Sequence, residues 1–448
     1  MAVFLAWGAC LTRVLDASDA TTLNRAQTNE WKGWMQIAFV AYHYANAQQV
    51  YVPIRWFVFA YVWLTGFGNT LYCWQTSDYS NARFLKSIWR INLFVVPLSL
   101  VMGTPWIAYY VVALHTVHFF LLFGCFKIVD AVARRGRRSG AQPAAAGLGC
   151  KVAGLALLVF VDVIIWEAGI YASTVGPALE SAFGSGFERY FWMRTKMDYL
   201  SSAAGAACAL ALPAVKDALE APLSGGPSSG DASGAGDRRV RSRRLAVLAA
   251  AWAVALCLFG CGVFAWARVG NDAAKYRNLQ PFVGTLWIPL YALLRNCHPI
   301  LRRSVSMPLE WVGARSLELY LLQFHLVLSR QASSVLWLLP DERWPGCNLI
   351  ATATLWVCAA HRAFHGTDRL RSAAERAPAR SALALGTAAV VYAALRLGAF
   401  NACLDAPAAL PAAAFAFTAA APLLGAGLGP ALWERRLFAR YRASPTQG

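Results

Sequence analysis

Residues 152–166, VAGLALLVFVDVIIW, run fifteen positions with a single charge, and comparable stretches recur along most of the chain. A helix that crosses a bilayer needs about 20 mostly apolar residues, because only an internally hydrogen-bonded backbone is tolerated in hydrocarbon. Runs approaching that length lie at 34–50, 54–73, 88–103, 105–128, 150–171, 197–215, 245–267, 279–300, 311–330, 348–364, 381–401 and 407–428. A membrane barrel would need strict alternation, which these continuous runs lack. Charged residues make up 14% of the 448, against about 25% in an ordinary soluble domain. The expected fold class is therefore all-α: a polytopic transmembrane helical bundle of about 10–12 spans.

The net charge of +18 follows from the same architecture. Basic residues gather at 133–138, 238–244, 302–303, 361–380 and 434–442, which these spans place on one side of the membrane. Counted between spans, that side holds about twenty Lys and Arg and the other about seven, so the positive-inside rule makes it cytosolic. Both termini are then expected in the cytosol. Nucleic-acid binding, the rival meaning of a basic chain, has no soluble domain here to organise the charge.

The eleven cysteines lie mostly inside spans without metal-type spacing, which suits small packing residues and no metal site. Residues 1–28 read as a short N-terminal segment whose first twelve residues form a leader or interfacial stretch. Residues 29–365 read as the multi-span membrane domain, interrupted by a flexible Gly/Ser and basic linker at 216–244. Residues 366–448 add further spans and a basic tail.

Polar residues inside spans are costly in lipid and are the carriers of chemistry. In NEWKGWMQIAFVAYHYAN (29–46), Lys32 and His43 stand eleven residues apart. That is three helical turns, or about 16 Å on one face. Lys32 is expected at the cytosolic mouth and His43 near mid-membrane. A cation at the mouth and an imidazole in depth suit a thioester whose phosphorylated head stays in water. Further polar positions are Arg55 and Asn69 in the second span, Arg83, Arg90 and Asn92 around the third, and Arg189, Arg194 and Asp198 leading into the sixth. Arg295 and Asn296 close the eighth, and Glu318, Gln323 and His325 share one apolar segment, with Glu318 and His325 two turns apart on one face. His115 and His118 have a metal-compatible spacing without a third ligand, and helix packing or a proton relay suits them better. Asp162 is expected to pair with a buried cation or to handle a proton.

Together these stretches carry a resemblance. EWKGWMQIAFVAYHY, IRWFVFAYVWLTGFGN, RFLKSIWRINLFVVPLSLVMGTPWIAYYV, FERYFWMRTKMDYL, LLRNCHPILRR, LELYLLQFHLVLS and ATATLWVCAAHRAF fall in order between about 29 and 365. They resemble the ten-transmembrane acyltransferase domain of fungal capsule-acetylation proteins, animal sialic-acid O-acetyltransferases and plant reduced-wall-acetylation proteins. The resemblance implies O-acetylation of a sugar or glycan hydroxyl in the Golgi, with acetyl-CoA as co-substrate and no permanently bound cofactor. Larger relatives carry a lumenal hydrolase-like domain with a Gly-Asp-Ser nucleophile ahead of the first shared span, and here about 28 residues precede it. A separate lumenal acetyltransferase partner is one way to complete the reaction, and action by the membrane domain alone is the other.

Two functions of different class fit these residues. In the first, His43 or His325 acts as general base or acetyl acceptor, with Glu318 either orienting the base or serving as the structural partner of an Arg. Lys32, Arg83 and Arg90 then hold the donor's phosphates, and the remaining polar positions line the donor or substrate path. In the second, the protein transports acetyl units or acetyl-CoA to a separate lumenal transferase. His43 is the expected catalytic imidazole and His325 its partner or rival.

Overall fold

The computed structural model describes residues 11–376 apart from 17–18, 103–105, 139–147, 178–193, 297, 330–333, 340–342 and most of 221–272. The expected spans at 381–401 and 407–428, almost all of 245–267, the linker beyond residue 220 and the whole basic tail lie outside the described residues. Within them the chain is helical. Twelve helices are α1 (Arg25–Tyr44), α2 (Tyr51–Thr76), α3 (Asn81–Asn92), α4 (Val95–Val101), α5 (Tyr110–Arg138), α6 (Leu148–Trp166), α7 (Ser201–Glu220), α8 (Ala273–Asn296), α9 (Pro299–Arg303), α10 (Met307–Ala314), α11 (Ser316–Leu326) and α12 (Pro345–Arg376). Two short antiparallel pairs join Thr12–Val14 to Ser304–Ser306 and Leu328–Ser329 to Ser334–Val335.

Among the described residues, three segments are both long and apolar enough to cross a membrane: Tyr110–Arg135, Leu148–Trp166 and Arg194–Lys216. Phe120, Ile128, Val152, Phe160 and Val163 are exposed along the first two, as side chains facing lipid would be. The chain is a membrane protein.

The first helix departs from the hydropathy reading. Asn24 caps it, its side chain accepting from the Gln27 amide at 3.0 Å, so α1 begins nine residues before the apolar run. Its polar first turns are helical because the fold pairs them: Gln27 donates to the Arg302 carbonyl, and Glu30 accepts from Arg295 and from the Ser306 amide. The helix ends at Tyr44, not at residue 50, with Asn46 at φ 47 beyond it. Lys32 therefore stands near the middle of α1 and His43 in its last turn.

Two expected spans are not single helices. The 88–103 stretch is the end of α3, a break at Leu93–Phe94 and the short α4. The 311–330 stretch is divided at Arg315 into α10 and α11, which both pack against α1. A Cβ on Gly313 would meet the Asn29 carbonyl at 1.7 Å, and one on Gly33 would meet the Leu309 carbonyl at 1.9 Å, so α10 runs antiparallel to α1. Helix α11 returns alongside α1, with Gln36 bonded to Gln323 and Val40 packed with Leu319 and Val327. Glycine is required where the two backbones touch. Gly313→Ala is expected to cost about 1–3 kcal/mol by forcing α10 off α1, read as a lower thermal midpoint of the purified protein; an unchanged midpoint would mean the contact yields freely.

The core joins α1, α2, α7 and α8 through Trp31, Met35, Phe59, Trp63, Ala209 and Ile288. Trp31 lies 5.7 Å from Trp63 and 4.5 Å from Tyr291, ring centre to ring centre. Such aromatic contacts fix the frame on which the polar residues sit.

Candidate active site

Polar side chains of α1, α2, α3, α5, α11 and α12 meet in the interior. Glu318 at the start of α11 is fully buried. Its Oε1 accepts from the Thr367 hydroxyl at 3.0 Å and lies 3.4 Å from Arg90 Nη1, while Oε2 has no hydrogen-bond partner. Lys32 is close enough to Arg90 and His115 to act on both electrostatically. Among the described residues its ammonium has neither a hydrogen bond nor an ion pair. From His115 a relay of bonds runs outward: Nδ1 lies 2.6 Å from Thr65 Oγ1, Asn69 donates to the Thr65 carbonyl, and Arg83 donates to Asn69 Oδ1 at 3.1 Å. Arg83 also lies over the Tyr72 ring at 3.9 Å. Of the three cations expected to hold the donor, Lys32 and Arg90 act on each other electrostatically, and Arg83 connects to His115 only through Asn69 and Thr65.

One turn along α1 from Lys32, Gln36 donates to Gln323 Oε1 at 3.1 Å, with both residues buried. Two residues further along α11, His325 Nε2 lies 2.6 Å from the hydroxyl of Tyr109, which is itself buried. If Nε2–H donates to the phenol oxygen, Nδ1 keeps a lone pair for a proton. Glu318 and His325 are thus on one helix but engage different neighbours. His43 packs edge-on against Tyr42 at 4.8 Å and feels the charge of Arg194. Its imidazole makes no hydrogen bond among the described residues.

The remaining sequence candidates build the frame. Arg55 forms a buried ion pair with Asp198 and donates to the Tyr110 hydroxyl at 3.2 Å and the Arg194 carbonyl at 3.3 Å. The Arg194 guanidinium lies 4.3 Å from the Tyr110 ring centre. Asn92 bonds Thr116 and accepts from the Trp106 indole. Arg295 clamps Glu30 at 2.6 Å, and Asn296 binds the Ala292 carbonyl. Arg189 lies outside the described residues. His115 and His118 do not converge on one point: His118 turns to Ser202 at 3.1 Å. No three His, Cys, Asp or Glu side chains gather as metal ligands among the described residues.

Among the described residues Asp162 has not found the cation expected of it, which leaves the proton-handling alternative standing. It is fully buried in α6, neither carboxyl oxygen has a hydrogen-bond partner, and no cation pairs with it among the described residues. An unsatisfied buried polar group costs about 1–3 kcal/mol, so Asp162→Leu is expected to leave the thermal midpoint unchanged or raise it. A clear fall would show that the carboxyl contributes a contact to the folded state.

Sequence reasoning missed Tyr109, Gln36 and Thr367. Nothing separates Tyr109 from the other fifteen tyrosines in the sequence; only its approach to His325 does.

An α-helical membrane protein with cationic and imidazole side chains turned into its interior is the class that this fold and site define. The chain matches the family described as "10 TM Acyl Transferase domain found in Cas1p" over residues 1–383, and it belongs to that family. Among similar proteins is the N-acetylneuraminate (7)9-O-acetyltransferase of Danio rerio, 26% identical over 371 residues. That alignment covers 80% of this chain and 44% of the relative, so the chain spans less than half the length of that protein. No solved structure matches.

Proposed function

We propose that the protein is a membrane O-acetyltransferase that moves acetyl groups from cytosolic acetyl-CoA to hydroxyls of a sugar or glycan within the Golgi. The family and the sialic-acid-modifying relative support acyl transfer to oxygen. The observation that carries the chemistry is the Tyr109–His325 contact, an imidazole held by a buried phenol on the helix that also bears Glu318. That partner favours His325 over His43 as the base, because a general base works best when a third group fixes its orientation. His43 is kept as the second candidate.

In the proposed step His325 Nδ1 takes the proton of the sugar hydroxyl as the oxygen attacks the acetyl carbonyl. The C–O bond forms, the C–S bond breaks, and the proton passes to the departing coenzyme A thiolate, so nothing is gained or lost overall. Lys32 and Arg90 would hold the anionic donor. The acceptor is proposed as a sialic acid or another glycan hydroxyl.

The test is purified protein in detergent with labelled acetyl-CoA and sialylated glycan, read by mass spectrometry for acetyl esters. Ester formation without added protein supports the enzyme. No ester unless a lumenal hydrolase-like transferase is added would favour the donor-supplying role instead.

A further inference from the structure

The bend between α10 and α11 carries a cluster that the catalytic reading leaves unused. Arg315 sits between two rings, its guanidinium carbon 4.1 Å from the Trp311 centre and 4.8 Å from that of Phe364. His361 stacks on Trp311 at 5.7 Å with 24° between planes, His365 lies edge-on to His361 at 4.5 Å, and Arg90 approaches Phe364 at 5.8 Å. Trp311 and Phe364 are only partly buried, and His365, Arg362 and Arg369 are exposed.

Charge around this platform is unbalanced. The nearby carboxylates are taken: Glu318 by Thr367 and Arg90, Asp368 by Arg371 at 2.6 Å, and Glu310 by Arg13 at 2.9 Å. Arg362, His365 and Arg369 have no hydrogen bond or ion pair among the described residues. Planar rings interleaved with guanidinium groups offer stacking faces and phosphate donors together. The ligand class that uses both is a purine carrying several phosphates. His361, Phe364 and His365 fall in the 361–380 basic stretch on the side assigned to the cytosol. From Arg315 to His325, α11 rises about 15 Å, which an extended phosphopantetheine arm can cover.

Resting on the proposed acetyl-CoA reading, we propose that Trp311, Arg315, His361, Phe364 and His365 form the docking platform for a 3′-phosphoadenosine diphosphate head. The arm then runs along α11 past Arg90 and Lys32 toward His325.

Binding is measured on the full chain in nanodiscs with adenosine 3′,5′-bisphosphate, which has the head's ring and phosphates but no reacting thioester. Arg315→Ala and Trp311→Leu are expected to raise its Kd about tenfold or more, Arg315→Lys to fall between, and Arg134→Ala, a surface change elsewhere, to have no effect. Independently of how any variant folds, 8-azidoadenosine 3′,5′-bisphosphate is also photo-crosslinked to the unaltered protein, with label expected on the peptides containing 311–315 or 361–365. Label confined to another region, unchanged affinity in folded Arg315→Ala, or equal competition by inorganic phosphate or anionic-lipid vesicles would overturn the platform. The acetyl-ester assay stands apart: ester formation with label elsewhere rejects the platform alone, whereas specific labelling without ester formation under any condition rejects the catalytic reading alone.

Discussion

His325→Ala is expected to insert and fold like the parent chain while acetyl transfer falls by about 10²-fold or more, the usual scale for a lost general base. The side chain is only half-buried, so truncation removes little packing. Tyr109→Phe keeps the ring and deletes the hydroxyl that lies 2.6 Å from Nε2. One neutral hydrogen bond contributes about 1 kcal/mol, so this variant is expected to lose tenfold or less and to change kcat more than KM. His43→Ala is the comparison. If it loses as much as His325→Ala, both imidazoles serve the reaction. If it alone is inactive, the role returns to the last turn of α1.

Asp198→Ala is expected to give the largest loss of stability, about 3–5 kcal/mol, since it leaves the Arg55 guanidinium charged and buried without its carboxylate. Asp198 is fully buried and Arg55 is 4% exposed, so water cannot take the partner's place. The change also loosens Arg55 from Tyr110, and with it the register of α2 against α5. Arg55→Met combined with Asp198→Leu should recover much of the loss, because an apolar pair of similar volume carries no desolvation cost. Thermal unfolding in detergent separates these cases, and additive losses in the double variant would mean that the two residues act independently.

Hydropathy located α2, α5, α6 and α7 because the apolar runs at 54–73, 105–128, 150–171 and 197–215 coincide with helices that face lipid or core. It failed where polar residues are satisfied by distant neighbours. The first two turns of α1 lay ahead of the expected span at 34–50, yet Glu30 and Gln27 find partners near residues 295–306, which local composition cannot reveal. The break at Arg315 was equally hidden, because it depends on the Gly33–Gly313 approach and on rings from α12 that flank the guanidinium. At the site, the polar residues themselves were legible, since each stands out in an apolar stretch. Their partners were not. Glu318 and His325 share a helix but face Arg90 and Tyr109 respectively, and spacing alone could not tell these neighbours apart.

The most direct measurement places the purified protein in sealed liposomes with labelled acetyl-CoA outside and a sialylated glycan inside. Acetyl esters should accumulate on the enclosed glycan while the coenzyme stays outside, and they should be nearly abolished by His325→Ala. Labelled acetyl-CoA gathering inside with the glycan unmodified would contradict a transferase and mark the protein as a donor transporter.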